Sequence, residues 1–269
     1  MSPDDRIPSV RDYLDVAVAA ARAAAGHAVR NRHRRHEVLA RARHDVKLNL
    51  DVEAQDAAMQ PIRARFPGHA ILGEEGAGDA GGAAGTPYEW VIDPIDGTVN
   101  FSHGLPLWCS SVALRRNGRT IAGAVWAPDM NELYTASEDE PARLNGNPIR
   151  VSSVDRPEHA VVFTGLAKDI DPTFHPFALF ERLTLGTQKT RIMGVAALDI
   201  CHVACGQGDG YFEAGIYIWD IAAASLVVER AGGRSEVLRE MPGNRLFFLA
   251  SNGLIHRALS DLLALAPAP

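Results

Sequence analysis

Two aspartates separated by two residues carry the clearest chemistry in this 269-residue chain. They are Asp93 and Asp96, in the run Asp-Pro-Ile-Asp-Gly-Thr over 93–98. The apolar residues before Asp93 predict a strand that ends there, which would hold both carboxylates close together at the end of the strand. Carboxylates at that spacing repel each other unless a cation lies between them. The spacing therefore indicates a metal site, and its competing interpretation is a strand–turn–helix in which Asp96 is only the helix N-cap.

The two residues after this pair indicate what the metal would serve. Gly97 allows the backbone to approach a ligand closely, and the amides of Gly97 and Thr98 would form an anion site if they open a short helix. Carboxylates that bind metal next to amides that bind phosphate are what metal-assisted phosphoryl transfer requires.

Two more acidic residues lie where a predicted element begins or ends. Glu74 follows a short apolar strand at 70–72, and Asp220 begins a predicted helix at 220–231. A negative group is stabilised at a helix start by the helix dipole. Each of the four acidic residues therefore lies where a predicted strand or loop ends or a predicted helix begins.

The order of the predicted elements changes near residue 150. The first part predicts two helices at 10–30 and 51–66, the second of them kinked at Pro61, then strands at 70–72, 89–92, 110–115, 120–126 and 132–136. Asn117-Gly118 favours a hairpin between two of these strands. The second part alternates strands and helices, at 161–164, 174–183, 190–193, 196–205, 210–213 and 220–231. We expect layered sheets and helices, divided into a unit over 1–150 and a unit over 151–269.

Composition excludes several classes of protein. The formal net charge of −6 argues against nucleic acid as the main partner. No run of about 18 apolar residues predicts a membrane span, and the N-terminus has no secretory pattern. Three scattered cysteines argue for a reducing compartment, so we expect a cytoplasmic protein. The basic stretch from Arg30 to Arg43 is typical of a solvated helix end, and a contact with a partner is its alternative interpretation.

Three motifs in order resemble the inositol monophosphatase family. They are Gly73-Glu74-Glu75, the run 93–101 with Gly104 and Pro106, and Trp219-Asp220-Ile221-Ala222-Ala223. The resemblance extends from about residue 10 to the C-terminus. It implies an α/β fold, the layered α-β-α-β-α sandwich shared with fructose-1,6-bisphosphatases. It also implies Mg²⁺-dependent, lithium-sensitive hydrolysis of a small phosphate monoester, and a homodimer.

The same resemblance assigns roles to individual residues. Glu74, Asp93 and the Ile95 carbonyl would hold a first Mg²⁺, a suitable set of hard oxygen ligands. Asp93, Asp96 and Asp220 would hold a second, and a third, weaker ion would lie near Glu74. Thr98 and Glu74 would orient the attacking water in line with the phosphate, without a covalent phosphoenzyme. Asp51 matches the acid that hydrogen-bonds the threonine, and a helix N-cap is its equally favoured alternative.

Substrate contacts are implied as well. They are Asp96, Gly97, Thr98, Gly194, Ala196, Glu213 and Asp220, with Glu213 as the acid that binds the polyol. Val195 stands where the family often has Ser or Thr, so one side-chain contact would be missing.

The motif residues do not by themselves identify the substrate. The sequence Val-Asn-Phe at 99–101 favours an inositol phosphate or fructose 1,6-bisphosphate over a histidinol phosphate or a nucleotide 3′-phosphate. A catalytically silent binding protein on the same fold is the alternative from another class. Such a protein would be expected to have lost at least one of the five site residues, and all five are present: Glu74, Asp93, Asp96, Thr98 and Asp220.

Overall fold

The computed structural model describes residues 8–42, 45–76, 85–166, 176–241 and 245–264. The helices in these ranges are α1 (Val10–Arg30), α2 (Asn49–Arg65), α3 (Thr98–His103), α4 (Pro176–Gly186), α5 (Ala196–Ala204), α6 (Ile218–Arg230) and α7 (His256–Leu263). A helix is present at each of the five predicted positions, as α1, α2, α4, α5 and α6. Arg43, in the basic stretch, lies outside the described residues.

The strands form two large sheets and one hairpin in the described part of the chain. They are β1 (Val38–Ala42), β2 (Asp45–Leu48), β3 (Ala70–Gly73), β4 (Tyr88–Asp96), β5 (Cys109–Arg116), β6 (Arg119–Ala127), β7 (Glu132–Ser137), β8 (Arg143–Leu144), β9 (Asn147–Pro148), β10 (Val161–Thr164), β11 (Lys189–Arg191), β12 (Gly210–Tyr217), β13 (Arg234–Met241) and β14 (Arg245–Ser251). One sheet has the order β3-β4-β5-β6-β7-β8-β9, and the other has the order β11-β10-β12-β14-β13. The division at residue 150 stays a prediction, although the two sheets share no strand.

The layers follow from side-chain alternation along the strands. On β5, Val112 and Leu114 pack with α1 and α2, whereas Cys109 and Ala113 face a core that contains α5 and α6. The other face of the smaller sheet is covered by α4 and α7. The order is therefore helices, sheet, helices, sheet, helices, and the predicted α-β-α-β-α sandwich is confirmed.

The middle helices approach the larger sheet closely. A Cβ atom at Gly123 of β6 would lie 2.9 Å from Cα of Ala223 on α6, so the contact requires small residues on both elements. This packing holds the start of α6 near the end of β4. None of the described helices is both long enough and apolar enough to cross a bilayer.

The structure differs from the predicted elements in three places. β4 does not end at Asp93 but continues to Asp96, because the larger sheet pairs it with β5 over both aspartates. α2 begins at Asn49 and continues through Pro61 to Arg65. The second part also contains the antiparallel strands β13 and β14, which the strand–helix alternation did not predict.

Candidate metal and phosphate site

A cavity of about 280 Å³ brings together every predicted site residue except Asp51. The predicted residues that line it are Glu74, Asp93, Ile95, Asp96, Gly97, Thr98, Gly194, Ala196, Glu213 and Asp220. They come from β4, from the segments that follow β3 and β11, and from β12 and the helices α3, α5 and α6. The cavity therefore lies where the two parts of the chain meet.

A bulge in β4 places the two aspartates. Asp93 lies opposite Ser111 and Asp96 lies opposite Cys109, so three steps along β4 face two steps along β5. A bulge bends its strand and redirects side chains. Both aspartates are buried, and the backbone N–H of Ile95 donates to Asp93 Oδ1 at 3.1 Å.

Asp220 completes a three-carboxylate cluster from the other part of the chain. One oxygen each of Asp93, Asp96 and Asp220 lies within 4.8 Å of the others. Asp220 lies in the first turn of α6, where its Oδ2 accepts a hydrogen bond from the N–H of Tyr217 at 2.9 Å. Three carboxylates at this separation form a donor set suited to a hard divalent cation, whose charge would offset their repulsion.

Asp96 caps a helix, but not the one that follows it. The N-cap of α3 is Gly97, whereas the Asp96 carboxylate accepts hydrogen bonds from the N–H groups of Ala196, at 3.2 Å, and Ala197, at 2.6 Å. These amides open α5, so the carboxylate lies at the positive end of that helix. Burial raises the pKa of Asp96 to about 7, the two amides oppose this shift, and Glu74 adds to it.

The short helix α3 positions Thr98 at the edge of the cluster. Thr98 lines the cavity, and its Oγ1 donates to the Ile95 carbonyl at 2.9 Å, so the oxygen can still accept a hydrogen bond. Gly97 has a φ of +86°, and a Cβ there would lie 2.9 Å from the carbonyl oxygen of Leu107. Only glycine therefore fits this turn without strain.

Asn100 has a structural role that the sequence motif did not reveal. Its Nδ2 donates to the carbonyls of Met193, at 2.8 Å, and Leu107, at 2.9 Å. It thereby ties α3 to the loop that carries Gly194. The motif at 99–101 contains Asn100, but no local pattern in the sequence identifies the two carbonyl groups that accept its hydrogen bonds.

Asp51 lies apart from the residues that line the cavity. It is the third residue of α2, and its Oδ2 accepts from the N–H of Leu48 at 2.6 Å, so the N-cap is Leu48 rather than Asp51. One turn later, Gln55 Oε1 accepts from the N–H of Glu75 at 3.0 Å, and Lys47 forms an ion pair with Glu75. The start of α2 therefore supports the segment that carries Glu74.

A second wall of the cavity is built by β12 and α5. Tyr211 donates its hydroxyl hydrogen to Glu213 Oε2 at 2.6 Å, and Asp199 of α5 lines the same cavity. Burial, then Asp96 and then Glu213, raise the pKa of Asp199 well above its usual range. Sequence reasoning missed Asp199 and Tyr211; the available signal was an acidic residue within the apolar helix 196–204. Val195 is buried and offers the cavity no hydroxyl.

An α-β-α-β-α sandwich whose buried carboxylates converge beside a helix start defines a class of metal-dependent phosphatases. The model of the inositol monophosphatase family matches residues 9–266, and the chain belongs to this family. The family is metal-dependent and hydrolyses phosphate monoesters, so the protein is a phosphoric monoester hydrolase.

Individual relatives show the same likeness. The chain is 39% identical over 223 residues to a protein of Pasteurella multocida named Nus factor SuhB. The alignment covers 82% of this chain and 83% of the relative. It is 39% identical over 214 residues to a fructose-1,6-bisphosphatase/inositol-1-monophosphatase of Thermotoga maritima, with 79% and 80% covered. The structure of an inositol monophosphatase from Anabaena superposes with a TM-score of 0.82 at 35% identity, over 94% of this chain and 96% of that one.

Proposed function

We propose that the protein hydrolyses an inositol monophosphate to inositol and phosphate with Mg²⁺ as cofactor. The observation that carries the proposal is a single cavity with two different walls. One wall has the cluster of Asp93, Asp96 and Asp220, and the other has Glu213 with its hydrogen bond from Tyr211. The first suits a metal and a phosphate, and the second suits hydroxyl groups.

The donor set supports Mg²⁺ as the resident metal, bound as two to three ions. The ligands we assign are Glu74, Asp93, Asp96, Asp220 and the carbonyl of Ile95, all of which line the cavity. Each offers oxygen, the donor that Mg²⁺ prefers. When bound, Mg²⁺ lowers the pKa of water and offsets the charge of the phosphate.

We assign the nucleophilic water to Thr98 and Glu74. Thr98 Oγ1 already donates its hydrogen to Ile95, so toward a water molecule it can act only as an acceptor. An acceptor there holds one O–H of the water, and the carboxylate of Glu74 takes the proton of the other O–H as the oxygen attacks phosphorus. Asp51 supports the same segment through the start of α2, and we assign it a positioning role.

The size of the cavity and the carboxylate of Glu213 in its second wall favour a small polyol phosphate. A volume of about 280 Å³ lies just below the usual range for small-molecule pockets, which suits one ring with one phosphate better than a nucleotide bisphosphate. Glu213 would repel a second phosphate, as in fructose 1,6-bisphosphate, but accepts hydrogen bonds from hydroxyl groups.

The direct test is phosphate release with Mg²⁺ from a panel of substrates. The panel contains inositol 1-phosphate, fructose 1,6-bisphosphate, histidinol phosphate and 3′-phosphoadenosine 5′-phosphate. We expect the highest kcat/KM on inositol 1-phosphate and none after chelation of the metal. A higher value on any other member would replace the proposed substrate, and the absence of release from all of them would overturn the proposed function.

A second candidate function is partner binding through the basic stretch 30–43. It is favoured by the name of the Pasteurella multocida relative, a Nus factor. The geometry limits it, because Arg32 forms an ion pair with Asp129 and Arg34 forms ion pairs with Glu37 and Glu53. Charge reversal at the exposed Arg30 and Arg41 should weaken RNA or protein binding without changing phosphate release if this function exists.

We also propose a cytoplasmic location and a homodimer. Cys109, Cys201 and Cys205 are free, which suits a reducing compartment. The dimer is implied by the family resemblance, and sedimentation of the purified protein tests it directly.

A further inference from the structure

Asp199 is a buried acidic residue that the proposed mechanism does not use. Its relative exposure is 1%, and its Oδ1 has no hydrogen-bond partner among the described residues. It lies in the first turn of α5 and lines the cavity. Buried carboxylate oxygens are usually hydrogen-bonded, so an unpartnered one requires an explanation.

The neighbours of Asp199 do not supply the missing partner. The residues at the start of the helix point their amides elsewhere: Ala196 and Ala197 donate to Asp96, and Asp199 donates its own N–H to the carbonyl of Val195. Tyr211 directs its only hydroxyl hydrogen to Glu213. No described residue supplies a donor to Asp199 Oδ1, and a hydroxyl group of a molecule bound in the cavity can supply one.

The charge of this wall selects the kind of donor. Asp199 and Glu213 line the same cavity, and Tyr211, whose hydroxyl group donates to Glu213, lines it too. Burial, then Asp96 and then Glu213, raise the pKa of Asp199. An ionised carboxylate repels a phosphate, whereas two neighbouring carboxyl groups suit a neutral group with several O–H donors. A polyol ring with adjacent hydroxyl groups matches this arrangement, whereas an aryl leaving group offers no donor.

We propose that Asp199 is a substrate-binding residue that accepts a hydrogen bond from a second ring hydroxyl of the polyol, distinct from the hydroxyl at Glu213. The inference rests on the proposed phosphatase function and deepens it. Specificity then requires two hydrogen-bond acceptors on this wall, Asp199 and Glu213, and substrates with a single suitable hydroxyl group are hydrolysed less efficiently.

The test compares two substrates in one variant series. Asp199→Leu removes both oxygens with little change in size, and Asp199→Asn retains one acceptor. The readout is the ratio of kcat/KM on inositol 1-phosphate to that on p-nitrophenyl phosphate, because a disturbance of the metal cluster affects both substrates and cancels from the ratio. We expect the ratio to fall about tenfold or more in Asp199→Leu and by less in Asp199→Asn.

A buried aspartate away from the cavity serves as the matched control. Asp209 is 5% exposed and accepts hydrogen bonds from Ser152 Oγ and from the N–H of Val161. Asp209→Asn should lower thermal stability without changing the substrate ratio. An equal change of the ratio in Asp209→Asn and Asp199→Asn would overturn the inference.

Deoxy substrates identify the hydroxyl itself. Monodeoxy derivatives of inositol 1-phosphate should include one whose kcat/KM is already low in the wild-type protein and falls no further in Asp199→Leu. If each derivative loses as much as the parent substrate in that variant, or if the ratio is unchanged, Asp199 does not bind the polyol. Either result leaves the phosphatase proposal intact, whereas no Mg²⁺-dependent release from any substrate in the wild-type protein overturns both.

Discussion

Two walls of the cavity hold their carboxyl groups in different ways. The cluster wall carries Asp93, Asp96 and Asp220, and the far wall, built by β12 and α5, carries Asp199 and Glu213. In the cluster, Asp93, Asp96 and Asp220 converge within 4.8 Å, and Asp96 is held by two helix amides. On the far wall, Glu213 Oε2 accepts a hydrogen bond from Tyr211, and Asp199 Oδ1 has no hydrogen-bond partner among the described residues. If, as we propose, the first wall binds the cation and the second binds hydroxyl groups, changes at the two walls should have different kinetic effects.

The largest effect should come from the cluster. Asp96→Asn removes one charged ligand and should lower kcat at least about 100-fold at saturating Mg²⁺. The fold should survive, because the asparagine oxygen can still accept from Ala197 and because carboxylate repulsion is relieved. Steady-state assays together with thermal unfolding check both parts. Near-normal turnover in the folded variant would remove Asp96 from the metal site.

A smaller loss should follow at the edge of the cluster. Thr98→Ala retains every carboxylate but removes the hydroxyl assigned to the water, so kcat should fall about 10- to 100-fold with little change in the Mg²⁺ concentration for half-maximal activity. Thr98→Ser is the matched control and should recover most of the loss. Full recovery of Thr98→Ala at high Mg²⁺ would show that Thr98 serves metal binding instead.

On the far wall, the effect should depend on the substrate. Glu213→Gln weakens a hydrogen bond to a charged acceptor, a contact worth about 1.5–3 kcal/mol, so the ratio of kcat/KM on inositol 1-phosphate to p-nitrophenyl phosphate should fall about 10- to 100-fold. Kinetics on the two substrates measure this ratio. An equal loss of kcat/KM on both substrates would mean that Glu213 supports the metal site and that the two walls do not have separate roles.

The smallest effect should come from displacing Glu213 without replacing it. A Cβ atom at Gly165 would lie 2.0 Å from Glu213 Oε2, so Gly165→Ala should move that carboxylate and lower the same ratio about three- to tenfold. Gly68→Ala is the control, because a Cβ there meets no atom within 4 Å. A ratio unchanged in Gly165→Ala would mean that the position of Glu213 does not set specificity.

Local patterns in the sequence were sufficient for most elements and for the cluster. Helix periodicity predicted α1, Asn117-Gly118 predicted the hairpin between β5 and β6, and the spacing of Asp93 and Asp96 indicated a metal site before any fold was known. The predicted end of β4 at Asp93 was wrong, because a proline and two acidic residues are typical of the end of a strand. The sheet overrides that preference, since β5 pairs across the bulge and the Ser110 hydroxyl donates to the carbonyl of Pro94.

By itself, the sequence determined the family, the layered fold and the residues able to hold a metal, because each depends on motifs whose members are neighbours along the chain. Only the tertiary structure decided that Asp96 caps α5, that Asn100 holds the loop of Gly194 and that Asp199 lies in the cavity. The first two contacts join residues that are about 100 positions apart. No local pattern connects such residues, since their meeting depends on how two sheets pack against the same pair of helices.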